Sequence, residues 1–311
     1  MELSLKPLLY FLVFPGFVFT AVVGLLSSWV DRKVTAKVQW RVGPPWYQNF
    51  ADIIKLLHKE IIVPQGSRFT GFLLAPIVGL AGATLVSTII WVINLNPDSG
   101  FVGDLIVVLY LLTLPSLGVI IGGSASRNPL GAMGASREMK LILAYELPFI
   151  IAVFTVVLKV GSILFGDIIG YQQVSGIMLR HPSCIIAFLV ALVCSQAKLT
   201  LVPFDIPEAE QEIIAGPFTE YSGAPLAIFR LTRAMMLFVL PVFLITVFWG
   251  GMNFHGWQIL ASCLKYLAIL VFIILVKNTN PRLRIDQAIK FMWGPMTLLA
   301  IGGMVLAVVG L

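Results

Sequence analysis

The sequence predicts an all-α, polytopic membrane protein with about eight transmembrane helices and a cytoplasmic amphipathic helix. Two observations carry this. Of 311 residues, 59% are hydrophobic and only 12% charged, where soluble domains carry about 25% charged residues. The apolar residues come in repeated runs of about 20 or more, divided by Gly, Pro and charged loops. A barrel strand needs only about 10 alternating residues, so the runs read as helices.

The spans fall at roughly 8–30, 71–95, 101–123, 141–161, 184–203, 222–249, 257–277 and 289–310. The first is long enough to cross a bilayer and carries no small-residue cleavage site, so it is expected to be a span and not a signal peptide. Pro203 is expected to end or bend the fifth early. All of 1–311 reads as one transmembrane domain, with 31–70 as a long loop and 198–223 as an acidic loop.

Basic residues orient these spans. The odd-numbered loops hold fifteen Lys and Arg, including Arg32, Arg41, Arg137, Lys198 and Arg284, against three (Lys6, Lys159, Arg180) at the N-terminus and in the even loops. That asymmetry predicts odd loops in the cytoplasm and both termini outside. It also accounts for the net charge of +6 without nucleic acid. Arg230, Arg233 and Lys265 fall inside spans.

The first loop carries GPP at 43–45, a rigid turn, and then 51–62, where Ile53, Ile54, Leu56, Leu57, Ile61 and Ile62 alternate with Asp52, Lys55, Lys59 and Glu60. This is an amphipathic surface helix, resting on lipid or seating a partner. Near the fourth span, Glu138 and Glu146 are eight residues apart and share roughly one helical face. A carboxyl at the depth of Glu146 is expected to face a polar cavity or a partner, with a structural hydrogen-bonded acid as the plainer reading.

The acidic loop reads KLTLVPFDIPEAEQEIIAGPFTEYSG and holds Asp205, Glu208, Glu210, Glu212 and Glu220. Carboxylates this close cannot all ionise cheaply without partners, and Arg137, Arg41 and Arg284 from other loops, with Arg230 and Arg233 from the sixth span, are candidates. Pro203, Phe204, Ile206, Pro207, Ile213, Ile214 and Phe218 make the loop too apolar to be merely solvated. The expectation is a polar cavity open to the cytoplasm.

Redox and metal motifs do not stand out. Cys184, Cys194 and Cys263 form no CxxC pair, and His58, His181 and His255 form no metal motif, so no iron–sulfur cluster or zinc is expected in this chain. No dinucleotide fingerprint, P-loop or nucleophile elbow is present. Two function classes remain. A secondary ion transporter would place its acids near the bilayer midplane. A membrane anchor of a redox assembly would use cytoplasmic loops to dock electron-transfer subunits, and the position of the acids favours it.

Four motifs then carry a resemblance over nearly the whole chain: DRKVTAKVQWRVGPP with ADIIKLLHKE at 31–45 and 51–60, GAMGASREMKLILAYELPF at 131–149, VPFDIPEAEQEIIAGPFTEYSG at 202–223, and NPRLRIDQ at 280–287. In this order they resemble the subunit 1/H family of respiratory complex I. Quinone-reducing members usually read PEGESEL where this chain reads PEAEQEI. That wording looks closer to the membrane anchor of group 4 membrane-bound energy-converting NiFe hydrogenases, or to the related archaeal membrane-bound sulfane sulfur reductase.

The resemblance implies a subunit without a redox centre in an oxidoreductase complex of a prokaryotic cell membrane. Its loops would seat a cluster-bearing small subunit and a large catalytic subunit, with iron–sulfur clusters and a NiFe centre in those partners. Its acids would start an ion path toward antiporter-like membrane subunits. Carried over, Glu146 matches the acid of the second motif, Asp205, Glu208, Glu210, Glu212 and Glu220 match the acidic loop, and Arg32, Arg41 and Arg137 match basic positions near the docking surface. The implied activity is ferredoxin-dependent hydrogen evolution coupled to H⁺ or Na⁺ translocation; the alternatives are the same role in a sulfane sulfur reductase or a quinone-reducing complex.

Overall fold

The computed structural model describes residues 6–253 and 256–310, and every regular element among them is helical. His255 and the first residues lie outside that range, as does the side chain of Glu210. Helices α1 (Lys6–Leu12) and α2 (Phe17–Val38) form the first apolar rod. Pro15 and Gly16 divide it, because proline removes a helical donor and a Cβ at Gly16 would lie 1.9 Å from Phe11 O. Next come α3 (Gln48–Leu57), α4 (Phe69–Leu95), α5 (Asp104–Leu111), α6 (Leu114–Ala125) and α7 (Pro129–Val160). They are followed by α8 (Phe165–Ser175), α9 (Pro182–Lys198), the single turn α10 (Glu210–Ile213), α11 (Gly223–Phe248) and α12 (Gln258–Thr279). The last rod is α13 (Ile285–Phe291), a π turn at Met292–Met296 around Gly294 and Pro295, and α14 (Thr297–Val309).

All eight expected spans are present as helix. Among the described residues seven rods are long and apolar enough to cross a membrane, and the eighth segment, α9, has 17 residues. At 1.5 Å per residue α9 measures about 26 Å, less than the roughly 30 Å of a hydrocarbon core.

Several expected boundaries move. The fourth span begins at Pro129 and not at 141. Asn128 explains this: its Oδ1 accepts from Leu130 N at 2.9 Å, and Pro129 fills the first helical position, so the polar GAMGASREMK stretch is helical from its first turn. The surface helix ends at Leu57 and not at 62. Beyond it the backbone pairs with the acidic loop's end, Ile62 N donating to Ser222 Oγ and Ser222 Oγ to Glu60 O. The fifth span does end early: α9 stops at Lys198, and Thr200 adopts a left-handed φ of 50°. Helix α8 lies in the fourth loop, where no element was expected.

Helix α11 is the axis, with 89% of its most apolar window buried. It packs on α2 and α4, while α7 packs on α6, α9 and α14. The odd loops meet at one end of the bundle, tied by Arg282–Asp205 at 2.8 Å and Lys277–Asp31 at 2.8 Å. The even loops meet at the other end, through Met252 N to Asn94 Oδ1 (2.8 Å), Gly250 N to Gln172 Oε1 (2.6 Å) and Phe165 N to Asp104 Oδ1 (3.0 Å).

Candidate functional site

The acidic loop runs from Leu199 to Ser222 and is packed down by its apolar residues. Phe204, Ile206, Pro207, Ile213, Pro217 and Tyr221 are buried, while Ile214 is exposed. Pro217 sits against α7 where Gly134 leaves room: a Cβ there would lie 2.4 Å from Pro217 Cδ. Tyr221 stacks on Phe72 with ring centroids 4.1 Å apart and donates from Oη to Phe72 O at 2.9 Å. Burial pushes its phenol well above the ordinary range.

With the loop fixed, its acids meet cations from other elements. Glu208 pairs with Arg233 of α11 at 2.5 Å, and Arg233 also donates to Thr200 O at 3.0 Å. Thr200 is β-branched and held at positive φ, a strained conformation. Glu212 pairs with Arg137 of α7 at 2.5 Å, and Asp205 with Arg282 at 2.8 Å. Burial raises the Asp205 carboxyl above its ordinary value even with Arg282 beside it. Glu220 accepts from Asn128 Nδ2 at 2.5 Å. On α3, Asp52 accepts from Arg32 at 3.1 Å and from Gln48 at 2.9 Å. Burial alone would raise Asp52, but these hydrogen bonds outweigh it and hold the carboxyl below its ordinary value.

Deeper, Glu146 Oε1 meets Lys198 Nζ at 2.5 Å. The Lys198 side chain is wholly buried, with its ammonium 5.2 Å from the Tyr145 ring centroid and 4.9 Å from that of Phe149. Glu146 keeps 17% exposure.

Of the expected basic partners, Arg32, Arg137 and Arg233 form ion pairs. Arg41, Arg230 and Arg284 are exposed and form none among the described residues. The sequence reading missed Arg282 and Lys198 as partners, and the Asp31–Lys277 pair beside them. Lys198 carried a signal, being a lone cation at the end of an apolar run in a chain with few charges. Arg282 carried none beyond its basic loop.

Among the described residues, cavities open at this end, and three of them are lined by the site's charges. One of about 270 Å³ lies among α6, α7, α9, α11 and the loop and is lined by Ser116, Glu138, Lys198, Glu208, Arg230 and Arg233 with apolar walls from Val119, Phe229 and Met236. A second, of about 300 Å³, lies between α2, α3 and α11 and includes Asp31, Arg32 and Asp52. Leu199, Arg230 and Arg233 line both. The third, of about 370 Å³, is lined by Arg137, Asp205, Glu212, Arg282 and Arg284. Chemically this is a set of paired charges arranged around cavities with both polar and apolar walls. Among the described residues no three of His, Cys, Asp and Glu gather as metal ligands.

The family model for NADH dehydrogenase matches residues 10–308. The chain is 33% identical over 315 aligned positions to the H subunit of NADH-quinone oxidoreductase from Dehalococcoides mccartyi, covering 96% of this chain and 85% of that protein. It is 31% identical to the corresponding protein of Geobacillus kaustophilus, covering 90% and 86%. Among solved structures, a chain of the membrane-bound sulfane sulfur reductase, an archaeal respiratory membrane complex, superposes with a TM-score of 0.86 at 30% identity, covering 97% of this chain and 99% of that one.

Proposed function

The chain belongs to the NADH dehydrogenase family, that of complex I subunit 1/H, and from that premise we propose that it is the non-redox membrane subunit that couples electron transfer to ion translocation. It seats a cluster-bearing small subunit and a large catalytic subunit on the cytoplasmic side, and passes charge toward antiporter-like membrane subunits. The observation that carries this reading is the ladder of ion pairs at one end of the bundle. It runs from Arg137–Glu212 and Arg233–Glu208 at the surface to Lys198–Glu146 beneath.

A charge change at the docked subunits acts first on the surface pairs, because these are the closest to the partner. Glu208 and Glu212 take up a proton or exchange their arginines. The cavity walled by Arg233 and Lys198 conveys that change inward to Glu146 and its neighbours. Coupled carboxylates suit the task because each one's titration depends on the other's state. The docking surface is the exposed segment after α2, where Trp40 and Val42 are each 98% exposed beside Arg41, followed by the exposed Trp46 and Tyr47. Aromatic and Arg residues are the types that anchor interfaces.

The wording of 202–223 supports ferredoxin-dependent hydrogen evolution with a NiFe centre in the large subunit. The likeness to a chain of the sulfane sulfur reductase supports sulfur-species reduction as a second reading. In both readings the chain sits in a prokaryotic cell membrane with its termini outside, and the translocated ion is H⁺ or Na⁺.

The experiment is purification through a tag on this chain. Co-purifying subunits whose large member bears NiFe-ligand cysteine pairs, with hydrogen evolved from reduced ferredoxin, support the first reading, and turnover of sulfane sulfur supports the second. Glu146→Gln and Glu212→Gln, made singly in the complex, are expected to lower ion translocation. Full turnover and full translocation in both would take the path away from them. A chain that purifies alone and exchanges ions would favour a secondary transporter instead.

A further inference from the structure

The two carboxylates of α7 lie about 12 Å apart along the helix axis at 1.5 Å per residue, and their surroundings are unlike. Glu146 has its charge matched by the buried Lys198 ammonium at 2.5 Å. Glu138 has no such partner. It is 1% exposed, both carboxyl oxygens are buried, and among the described residues neither has a hydrogen-bond partner of good geometry. The Ser116 hydroxyl of α6 is its nearest polar neighbour and also makes a long contact of 3.4 Å with Tyr145 Oη.

The charged and titratable groups around Glu138 come from every wall of the cavity: Glu208 from the acidic loop, Arg230 and Arg233 from α11, Lys198 from the end of α9, and Tyr145 from α7 itself. Arg233 is committed to Glu208 at 2.5 Å and to Thr200 O at 3.0 Å. Lys198 is committed to Glu146. An isolated buried carboxylate is among the most expensive groups a fold can hold, and in a membrane bundle an ionisable side chain facing a polar cavity marks a pathway.

We propose that Glu138 holds the exchangeable proton of this cavity, and that Glu146 is held as the fixed counter-charge of Lys198. The assignment rests on the coupling role above and names the carrier within it. A hydronium entering the cavity gives one proton to the Glu138 carboxylate and leaves water; the carboxyl later gives up that same proton, and no other bond changes. Arg233 sets the direction. While it is paired with Glu208, neither Arg233 nor the exposed Arg230 forms an ion pair with Glu138 among the described residues, and Glu138 keeps its proton. When Glu208 takes up a proton, Arg233 is released toward Glu138 and favours its carboxylate.

The test uses the intact complex in inverted membrane vesicles and a hydrophobic carbodiimide, which attacks protonated carboxyls in apolar surroundings. Peptide mass spectrometry is expected to find the adduct on Glu138 and at least ten-fold less on Glu146. An adduct on Glu146 with Glu138 unmodified overturns the assignment. Glu138→Gln is expected to lose the adduct and at least ten-fold of the charge translocated per electron, with Glu138→Asp recovering part of it. Glu138→Gln with full translocation also overturns it. If the Gln variant does not assemble, the labelling of wild type decides alone. Wild-type vesicles that move no charge while Glu138 labels would end the coupling role and leave Glu138 as the cavity's protonated acid. Translocation driven by Na⁺ with no effect of pH on labelling overturns the proton assignment.

Discussion

Replacing Lys198 by Met removes the cation from the most buried ion pair at the site and leaves the side-chain volume over Tyr145 and Phe149. At 2.5 Å and an effective dielectric constant of about 20, the attraction lost is about 7 kcal/mol before desolvation is counted. Much of that gross figure offsets the cost of burying two charges, and breaking a buried pair from one side costs about 3–5 kcal/mol. Glu146 keeps 17% exposure, which lets water relieve part of its charge, so the lower end, about 3 kcal/mol, is expected. Cys194 reports on it. It is buried one helical turn before Lys198, and with Cys184 and the exposed Cys263 changed to Ser it becomes the only thiol of this chain, its adduct read by peptide mass spectrometry. Labelling of Cys194 in the purified complex reads local opening of α9. The Lys198→Met variant is expected to label roughly a hundred-fold faster, since each 1.36 kcal/mol is a factor of ten. The double variant Lys198→Met/Glu146→Gln should return most of that, with a coupling of about 2 kcal/mol or more. Single variants whose effects add within about 0.5 kcal/mol would refute the reasoning, because they would show two residues that do not depend on each other.

Gly134→Ala drives a Cβ to 2.4 Å from Pro217 Cδ, so it should loosen the acidic loop and lower stability by about 1–3 kcal/mol. Gly294→Ala, with open space at the same position, is the control in a thermal unfolding scan of the complex. Arg137→Gln should change stability by less than about 1 kcal/mol, because Glu212 is 55% exposed and solvent screens such pairs; a large fall in coupled turnover would then come from function and not from folding. The two perturbed surface acids predict opposite pH behaviour. Asp52 is lowered from 3.8, so its contribution is full above the ordinary value and is lost as pH falls through its lower folded value. The deficit of Asp52→Asn should therefore be constant near neutrality and vanish in acid. Asp205 is raised by burial, so its contribution is present below the ordinary value and lost as pH rises through its folded value; Asp205→Asn should not destabilise the complex at neutral pH.

The helical spans were legible because a bilayer leaves few alternatives for apolar runs of that length. Their ends were not, where polar residues continue a helix: 129–140 reads as loop by composition, yet the Asn128 cap and Pro129 start α7 there. At the site, the convergence of acids and arginines followed from their sheer crowding in a poorly charged chain. The pairing did not follow, because it depends on how α7, α9 and α11 are rotated. Lys198 turned inward to Glu146, Arg282 took Asp205, and Arg41, Arg230 and Arg284 stayed open. Glu138 and Glu146 look alike in sequence and differ only once α9 brings Lys198 to one of them.

The shortness of α9 has an electrical meaning. A transmembrane voltage falls across the thickness of low-dielectric material, and each elementary charge moved through 100 mV involves about 2.3 kcal/mol. Where a 17-residue helix replaces a full-length span and a polar cavity opens at its end, the insulating layer is locally thinner. The field there is steeper, and the cavity floor sits nearer the potential of the acidic-loop side. On the proposed coupling role, a charge reaching that floor would have done little work against the membrane, and the work would begin at the next step.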